Sequence, residues 1–166
     1  AYQAMKASAA QNIRGTNFYR DYGYIPQDKY GQSVTVTFEY SFDDWCIAQV
    51  ANKLGYATDY KIFMKRSQSW RNVFDRKIGF ARPKNSDGKW VTPFDPYYAE
   101  TDEHKTAFTE GNAWQHSWFV PHDVYGLINF MGGGNKFLKK LDGLFDADTV
   151  IKGTNVAPDI SGLIGQ

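Results

Sequence analysis

The longest periodic stretch of the sequence, SVTVTFEYSFDDWCIAQVANKL, covers residues 33–54 and decides the fold class. Its helical spacing places four side chains on one face, namely Phe38, Phe42, Trp45 and Gln49. Residues 34–38 alternate in the manner of a β-strand, but the helical period continues beyond them. Ser33 is a plausible N-cap, and Leu54-Gly55 is a typical helix stop. The stretch therefore predicts one long α-helix.

Further helical patterns surround this segment. Helices are predicted over residues 2–12, 58–74, 113–119, 122–131 and 135–145. Thr58 and Asp59 are candidate caps for the helix that follows the long one after a short connection, so these two helices form an αα-hairpin. Such hairpins stack into toroids or solenoids. The predicted fold class is mainly α, with helical hairpins that form part of an (α/α)6 toroid.

The connections between these helices are long. Residues 14–32 contain Gly, Pro and five aromatic side chains, which predicts a loop whose rings pin it to the core or line a pocket. Asp87-Gly88 lies between short apolar runs and predicts a small β-hairpin. Residues 93–96 (PFDP) end any regular element after it.

Composition excludes several classes of protein. The 166 residues carry 19 Lys and Arg against 18 Asp and Glu, so the net charge is +1. This balance argues against nucleic-acid binding, and no apolar run approaches the roughly 18 residues of a membrane span. The single cysteine, Cys46, excludes an intramolecular disulfide framework. Aromatic residues make up 17% of the chain, which fits a ring-rich core or a site where sugars stack on rings.

The densest cluster of chemically useful side chains lies in residues 109–123, TEGNAWQHSWFVPHD. Glu110 precedes Gly111 and is flanked by rings, which can desolvate the carboxyl and raise its pKa toward that of a general acid. Asn112 and Gln115 can exchange hydrogen bonds with sugar hydroxyls. An isolated Glu here would be an ordinary helix-start acid, but the density of polar and aromatic neighbours favours a site.

A second acidic cluster lies on the long helix. Glu39 and Asp43 are one turn apart on one face, where two like charges destabilise a helix unless they bind something. A cation, a pair of sugar hydroxyls or an Arg would each serve, and a solvated acidic face is the alternative. His116 and His122 do not have the spacing of a helical zinc site. The residues themselves leave any metal ligands unassigned.

The sequence contains an ordered series of short motifs. They are GYIP at 23–26, EYSFDDWCIAQ at 39–49, Arg82-Pro83, Asp87-Gly88, PFDP at 93–96, TEGNAWQ at 109–115, WFVPHDV at 118–124, MGG at 131–133 and DISG at 159–162. In this order they resemble glycoside hydrolase family 92, and they cover nearly the whole chain. The TEGNAWQ block is the most specific of them.

The resemblance implies a fold and an activity. Members of this family are calcium-dependent, exo-acting α-mannosidases that invert the anomeric centre, and most are exported bacterial enzymes. Each has an N-terminal β-sandwich and a C-terminal (α/α)6 barrel. The general acid maps onto Glu110, and Asn112, Trp114 and Gln115 belong to the substrate site around it. Asp43 and Asp44 are assigned to shaping that site or holding an Arg.

The resemblance also implies that residues 1–166 are only part of the catalytic domain. The family's general base is an Asp of a later block that this sequence does not contain, and the β-sandwich is absent too. Inverting hydrolysis needs two carboxylates about 6.5–9.5 Å apart, so we expect the chain alone to be inactive. The expected function is that of the parent enzyme, which removes terminal, α-1,2-type mannose from N-glycans or mannans with calcium bound mostly outside this chain.

Two other hypotheses stay open at this point. A non-catalytic glycan-binding or structural helical module would need no base. Another (α/α)6 glycosidase would act on a different sugar. The expected partners are a mannose-containing glycan and the remainder of the parent polypeptide.

Overall fold

The computed structural model describes residues 1–102, 104–147, 152, 153 and 156. The described residues form seven α-helices, which are α1 (Tyr2–Ala10), α2 (Thr16–Tyr22), α3 (Ser33–Lys53), α4 (Ala57–Arg66), α5 (Ala113–His116), α6 (Val124–Phe130) and α7 (Gly134–Phe145). A 3₁₀-helix spans Ser69–Val73, and two short strands are β1 (Phe74–Asp75) and β2 (Phe80–Ala81). The predicted mainly α fold with a small antiparallel sheet is confirmed. None of the described helices combines the length and the apolar character needed to cross a bilayer.

The predicted αα-hairpin is formed by α3 and α4, and α1 packs against α3. Their contact buries a small apolar cluster, in which Ile47 and Ala51 of α3 meet Tyr2 of α1 and Phe63 of α4. The second helix is shorter than predicted, because α4 ends at Arg66 and the chain continues as the 3₁₀-helix. Thr58 and Asp59 do not cap it, since α4 begins after Tyr56. Asp59 instead accepts hydrogen bonds from Tyr2 Oη at 2.6 Å and Lys6 Nζ at 2.7 Å.

The larger core lies between α3, the 3₁₀-helix and the C-terminal helices. Its buried members include Phe38, Trp70, Phe74, Phe80 and Val120. Phe38 belongs to the apolar face predicted from the helical period of residues 33–54. Burial of several large side chains at roughly 1.5–3 kcal/mol each supplies most of the driving force for packing this half of the chain.

The start of α3 differs from the prediction. Gln32 is the N-cap residue, and within the described part of the chain no side-chain hydrogen bond caps the helix. Ser33 Oγ donates to Gln27 Oε1 at 2.6 Å instead. The backbone N–H groups of Gln32 and Val34, which have no acceptor within the helix, donate to the carbonyl oxygens of Thr106 and Ala107, at 2.7 and 3.0 Å. The loop that contains Thr106 and Ala107 thus supplies the hydrogen-bond acceptors that a capping side chain would otherwise provide. In return, the first turn of α3 fixes the position of that loop.

The loop predicted over residues 14–32 contains a helix that the sequence pattern does not reveal. α2 occupies seven residues between Gly15 and Gly23, whose φ angles are 78° and 72°. Both glycines adopt the left-handed conformation, which L-residues with a Cβ disfavour. They mark the two ends of the helix, and its short length hides the helical period.

The small sheet lies next to the predicted hairpin. In it Phe74 pairs with Ala81 and Asp75 with Phe80, in antiparallel register. The predicted Asp87-Gly88 turn is present, but it supports only a single bridge between Lys84 and Trp90. The backbone N–H of Ala81 donates to Ser117 Oγ at 2.9 Å. This bond ties β2 to the end of α5 and fixes that short helix on the sheet.

Candidate active site

Glu110 lies in a tight turn just before α5. Its φ angle is 48°, so a residue with a Cβ adopts the left-handed conformation, at a cost of about 1–2 kcal/mol. At the following Gly111, a Cβ would lie 2.7 Å from Gln115 Oε1 and 2.9 Å from His116 Nε2. Only glycine fits there without displacing these side chains. The turn is therefore sterically closed on one side.

A capping box follows the turn. Asn112 Oδ1 accepts a hydrogen bond from the backbone N–H of Gln115 at 3.2 Å. The backbone N–H of Asn112 donates to Gln115 Oε1 at 3.0 Å. These reciprocal bonds satisfy the free donors at the start of α5, which is only four residues long. Asn112 is fully buried, and its Nδ2 has no partner among the residues that the structure describes.

The residue before the acid, Thr109, is held at both of its backbone polar groups. Its N–H donates to Thr35 Oγ1 of α3 at 3.0 Å. Its carbonyl oxygen lies 2.8 Å from His116 Nε2 of α5. Thr35 Oγ1 and His116 Nδ1 are 3.1 Å apart, so the three residues close a ring of hydrogen bonds. We call this ring the Thr109 latch.

The hydrogen bonds of the latch are compatible with a neutral His116. The Thr109 carbonyl can only accept, so Nε2 carries a proton and donates it. Thr35 Oγ1 accepts from the Thr109 N–H and is free to donate its own proton to Nδ1, which is then unprotonated. In this arrangement His116 is neutral, and burial against Phe108 lowers the pKa of the imidazole, which favours the same state.

Trp114 anchors α5 on the opposite side from the latch. Its ring makes an edge contact with Phe80, with centroids 4.7 Å apart, and a tilted contact with Tyr97 at 5.8 Å. The ammonium group of Lys140 lies over both the Phe80 and Trp114 rings, 3.1 Å from the Phe80 centroid and 4.7 Å from that of Trp114. Burial lowers the pKa of Lys140 to about 8. Trp114 thus packs into an aromatic cluster behind the turn.

The rings near Glu110 do not bury it. The Glu110 side chain is exposed, so the desolvation predicted from its aromatic neighbours is not observed. Trp114 faces Phe80 and Trp118 faces Phe137, which turns both rings toward the core. A cavity of about 230 Å³ borders the turn through Gln115 and His116. The acid is therefore presented to solvent on a rigid support.

The acidic residues of α3 lie in two different settings. Glu39 lines the cavity beside α5, and partial desolvation by its surroundings together with the charge of Asp43 raises the pKa of its carboxyl. Partial desolvation also raises the pKa of Asp43. Within the described part of the chain, neither carboxylate forms an ion pair or a hydrogen bond. Their like-charged spacing is thus uncompensated by the described residues.

Asp44 is buried, with 2% of its surface exposed. Its Oδ2 accepts from Arg66 Nε at 2.9 Å. Burial raises the pKa of Asp44 to about 6, although the Arg66 guanidinium opposes the shift. Asp43 and Asp44 line a second cavity of about 470 Å³ between α1, α2 and α3. Among the described residues that line this cavity, none comes from residues 109–116.

The match to a protein family identifies the family of the chain. The chain matches the glycosyl hydrolase family 92 catalytic domain over residues 1–166.

The chain belongs to glycoside hydrolase family 92.

Solved structures of the family resemble this family 92 chain closely. A family 92 α-mannosidase from Bacteroides thetaiotaomicron, in complex with mannoimidazole, is 40% identical with a TM-score of 0.85. That match covers 91% of this chain and 20% of the mannosidase. An inverting family 92 mannosidase from the same species is 30% identical with a TM-score of 0.77, over 86% of this chain and 20% of that enzyme.

A curated relative is more distant. An uncharacterized secreted glycosidase of Arthroderma benhamiae is 29% identical, over 84% of this chain and 21% of the relative. The family 92 chain therefore spans about a fifth of the length of the proteins that it matches. The (α/α) architecture of the solved relatives is the setting of the helical hairpin described above.

The family 92 chain offers no metal site in its described part. Residues 1–102 and 104–147 contain no group of three His, Cys, Asp or Glu side chains that could hold an ion.

Two other reactive side chains lie apart from the turn at Glu110. His122 Nε2 donates to the carbonyl oxygen of Ser67 at 2.9 Å, away from the latch that holds His116. Cys46 is only partly buried, and burial raises the pKa of its thiol.

Sequence reasoning does not find the two side chains that hold the acid turn. Thr35 has no evident role within the long helix, and the spacing of His116 from His122 says only that the pair is not a helical zinc site. Thr35 and Thr109 are separated by 74 residues, so no local pattern connects them. The threonine-rich start of the helix, in a stretch that also resembles a strand, is the single unusual signal.

Proposed function

We propose that this chain supplies the general acid, Glu110, to an exo-acting, inverting α-mannosidase. The observation that carries the proposal is the exposed Glu110 carboxylate on a turn that is closed sterically by Gly111 and followed by the capping box. A general acid must reach the glycosidic oxygen of the substrate, and an exposed carboxylate on a rigid turn meets that need. The match to family 92 mannosidases over nearly the whole chain supports the choice of reaction.

In the proposed reaction Glu110 donates its proton to the glycosidic oxygen as the bond to the anomeric carbon breaks. A second carboxylate removes a proton from the water that attacks the opposite face of the sugar. Because this chain spans about a fifth of the length of its relatives, we propose that the remainder of a longer polypeptide contributes that base and the other walls of the site. The expected N-terminal β-sandwich and the rest of the barrel belong to the same proposal.

The neighbours of Glu110 receive supporting roles. Asn112 and Gln115 use their side-chain oxygens in the capping box, and Trp114 packs behind the turn, so we assign the three to holding the substrate site around the acid. Asp44 is buried against Arg66, and Asp43 lines the same cavity. Of the two roles expected for these aspartates, we assign Asp44 to holding Arg66, and Asp43 to shaping this cavity, which no described residue of 109–116 lines.

The relatives support the choice of substrate class. One of them is described in complex with mannoimidazole, which supports a terminal mannose as the recognised group. We propose α-1,2-linked mannose of N-glycans or mannans as the substrate, and export of the enzyme, as the description of the fungal relative as secreted suggests. A bacterial origin stays a prediction.

Calcium is expected from the family, but the described residues do not form a complete site for it. They contain no group of three His, Cys, Asp or Glu side chains that could hold an ion, so we propose that the ligands come mostly from the remainder of the polypeptide. We therefore derive no step through calcium from this chain.

The test is Glu110→Gln in the full-length protein, assayed with α-1,2-mannobiose and with 2,4-dinitrophenyl α-mannoside. Loss of a general acid lowers the rate by about 10²–10⁴-fold where the leaving group needs a proton. Dinitrophenolate leaves without one, so its release should be nearly unchanged and serves as the internal control. Equal rates of mannobiose hydrolysis in variant and wild type would refute the assignment and favour a non-catalytic glycan-binding or structural module.

A further inference from the structure

We propose that Thr35 and His116 are positioning residues that set the direction of the Glu110 carboxylate through the Thr109 latch. This inference rests on the proposed role of Glu110 as the general acid. Neither side chain needs to touch the substrate, because both act through the backbone of the residue that precedes the acid.

The first argument is that the backbone conformation of Glu110 is intrinsically unfavourable and needs support from its surroundings. Its left-handed φ of 48° is disfavoured for a residue with a Cβ. Such conformations persist when the surrounding structure fixes both sides of the residue. On the C-terminal side, Gly111 and the capping box do this. On the N-terminal side, Phe108 is buried in the core, and the latch holds both backbone polar groups of Thr109, the residue next to the acid.

The second argument concerns where the latch partners come from. Thr35 lies in the first turn of α3. That turn is itself joined, through the Thr106 and Ala107 carbonyls, to the loop of residues 104–111 that carries Glu110, which we call the acid loop. His116 lies at the end of α5, which the capping box starts and Ser117 fixes to β2. Thr109 is therefore tied to two rigid elements at once. A site built on such elements holds a side chain more accurately than a free loop does.

The third argument is that one consistent set of donors and acceptors closes the latch, with neutral His116 as above. Thr109 N–H donates to Thr35, the Thr35 hydroxyl donates to His116 Nδ1, and His116 Nε2–H donates to the Thr109 carbonyl. Thr35 is 6% exposed, and apart from the 230 Å³ cavity that it lines with His116 its side chain is withdrawn from solvent. Removing that hydroxyl leaves one buried donor and one buried acceptor without partners. The backbone at Thr109 would then move to find new partners, and the acid would move with it.

The experiment compares Thr35→Val with Thr37→Val in the full-length protein. Both variants replace a buried hydroxyl of α3 by a methyl group, and both hydroxyls accept a backbone N–H, that of Thr109 for Thr35 and that of Ile25 for Thr37. Of the two, Thr35 is the one connected to the acid turn. Thr37→Val thus controls for the general effect of losing such a bond.

The measurement is kcat on α-1,2-mannobiose and on 2,4-dinitrophenyl α-mannoside. We expect Thr35→Val to lower kcat on mannobiose by about 10–100-fold, since small displacements of a catalytic group have effects of this size. On the activated substrate we expect less than about a twofold change. Thr37→Val should change both rates by the same factor. An equal loss on both substrates for Thr35→Val would overturn the positioning role.

His116 provides an independent pair of variants in case Thr35→Val fails to fold. His116→Gln keeps an amide N–H that can reach the Thr109 carbonyl, whereas His116→Leu removes every polar atom. The kcat of the Gln variant on mannobiose should be at least about tenfold higher than that of the Leu variant. Equal rates in the two variants contradict the latch. If Glu110→Gln shows no substrate-dependent loss, the proposed function fails first; if Glu110→Gln shows it and these variants do not, only the latch fails.

Discussion

Arg66 Nε donates to the Oδ2 oxygen of Asp44 at 2.9 Å, which pairs the end of α4 with the middle of α3. Asp44 is almost completely buried, and Arg66 also lies over the rings of Tyr19 and Phe63. The α3–α4 hairpin therefore closes over an ion pair as well as over an apolar contact. Breaking one partner of such a pair is strongly destabilising because the other charge stays buried.

Arg66→Met should destabilise the full-length protein by about 3–5 kcal/mol at about pH 8. The folded-state pKa of Asp44 is raised to about 6, above the unfolded value of about 3.9. The folded protein therefore binds the Asp44 proton more tightly than the unfolded chain does. The stability that this provides is fully present below about pH 4 and is lost as the pH rises through about 6. Without Arg66 that pKa rises further, so the penalty of the variant should shrink when Asp44 is protonated.

Denaturant unfolding at about pH 8 and about pH 5 tests this expectation. The double variant Asp44→Asn/Arg66→Met carries no buried charge at this pair and serves as the control, since it should regain much of the lost stability at the higher pH. An equal loss for Arg66→Met at both pH values would contradict the assignment of the penalty to the Asp44 charge.

Glu110→Gly should be more stable than Glu110→Ala by about 1 kcal/mol, because glycine adopts the left-handed conformation without a steric cost. Both variants remove the proposed acid, so both should lose activity on mannobiose. The unfolding midpoints of the two proteins decide the matter. If they coincide, the φ of 48° at this position is not the conformation in solution.

Gly111→Ala should destabilise the protein by about 1–3 kcal/mol and reduce activity. Its Cβ would lie 2.7 Å from Gln115 Oε1, so the capping box must open or the turn must shift. Gly134→Ala is the matched control, since that glycine begins α7 and a Cβ there would meet no described atom within 4 Å. There alanine should be neutral or slightly stabilising. Comparable losses at the two positions would argue against the closed turn.

Ser117→Ala should cost about 1–3 kcal/mol, because it leaves the buried backbone N–H of Ala81 without its acceptor. Ser67→Ala is the control. That serine is equally buried, but its hydroxyl donates to the carbonyl of Met64, so its loss leaves no backbone donor unpaired. Melting temperatures of the two variants should differ clearly, with Ser117→Ala lower. The reverse order would show that β2 does not depend on α5.

The sequence is informative where a pattern is local and long. The helical period of residues 33–54 predicts α3 almost to the residue, and the pairing with α4 follows from the short connection. α2 escapes prediction because seven residues between two left-handed glycines give too few turns to show a period. Ser33 is the wrong cap because the donors at the start of α3 are satisfied by carbonyls more than seventy residues away, as the Gln32–Thr106 bond shows.

In the site, too, local features can be predicted from the sequence and contacts between distant segments cannot. The Glu-Gly-Asn block and its capping partner Gln115 are close in sequence and can be recognised together. The exposure of Glu110 is not predictable from neighbouring rings, because Trp114 and Trp118 turn toward Phe80 and Phe137 instead. The latch is invisible in the sequence because its threonine and its histidine belong to elements that meet only in the folded chain.

The carbonyls of Thr106 and Ala107 that complete the first turn of α3 also have a consequence for protein engineering. The acid loop and the beginning of that helix are complementary halves of one module, although they are far apart in the gene. Transplanting residues 104–116 from a relative would bring carbonyls whose spacing was fitted to another helix start. Chimeric family 92 proteins should therefore exchange residues 32–35 together with the loop, and single-residue insertions in either half should be tolerated only when the other half changes as well.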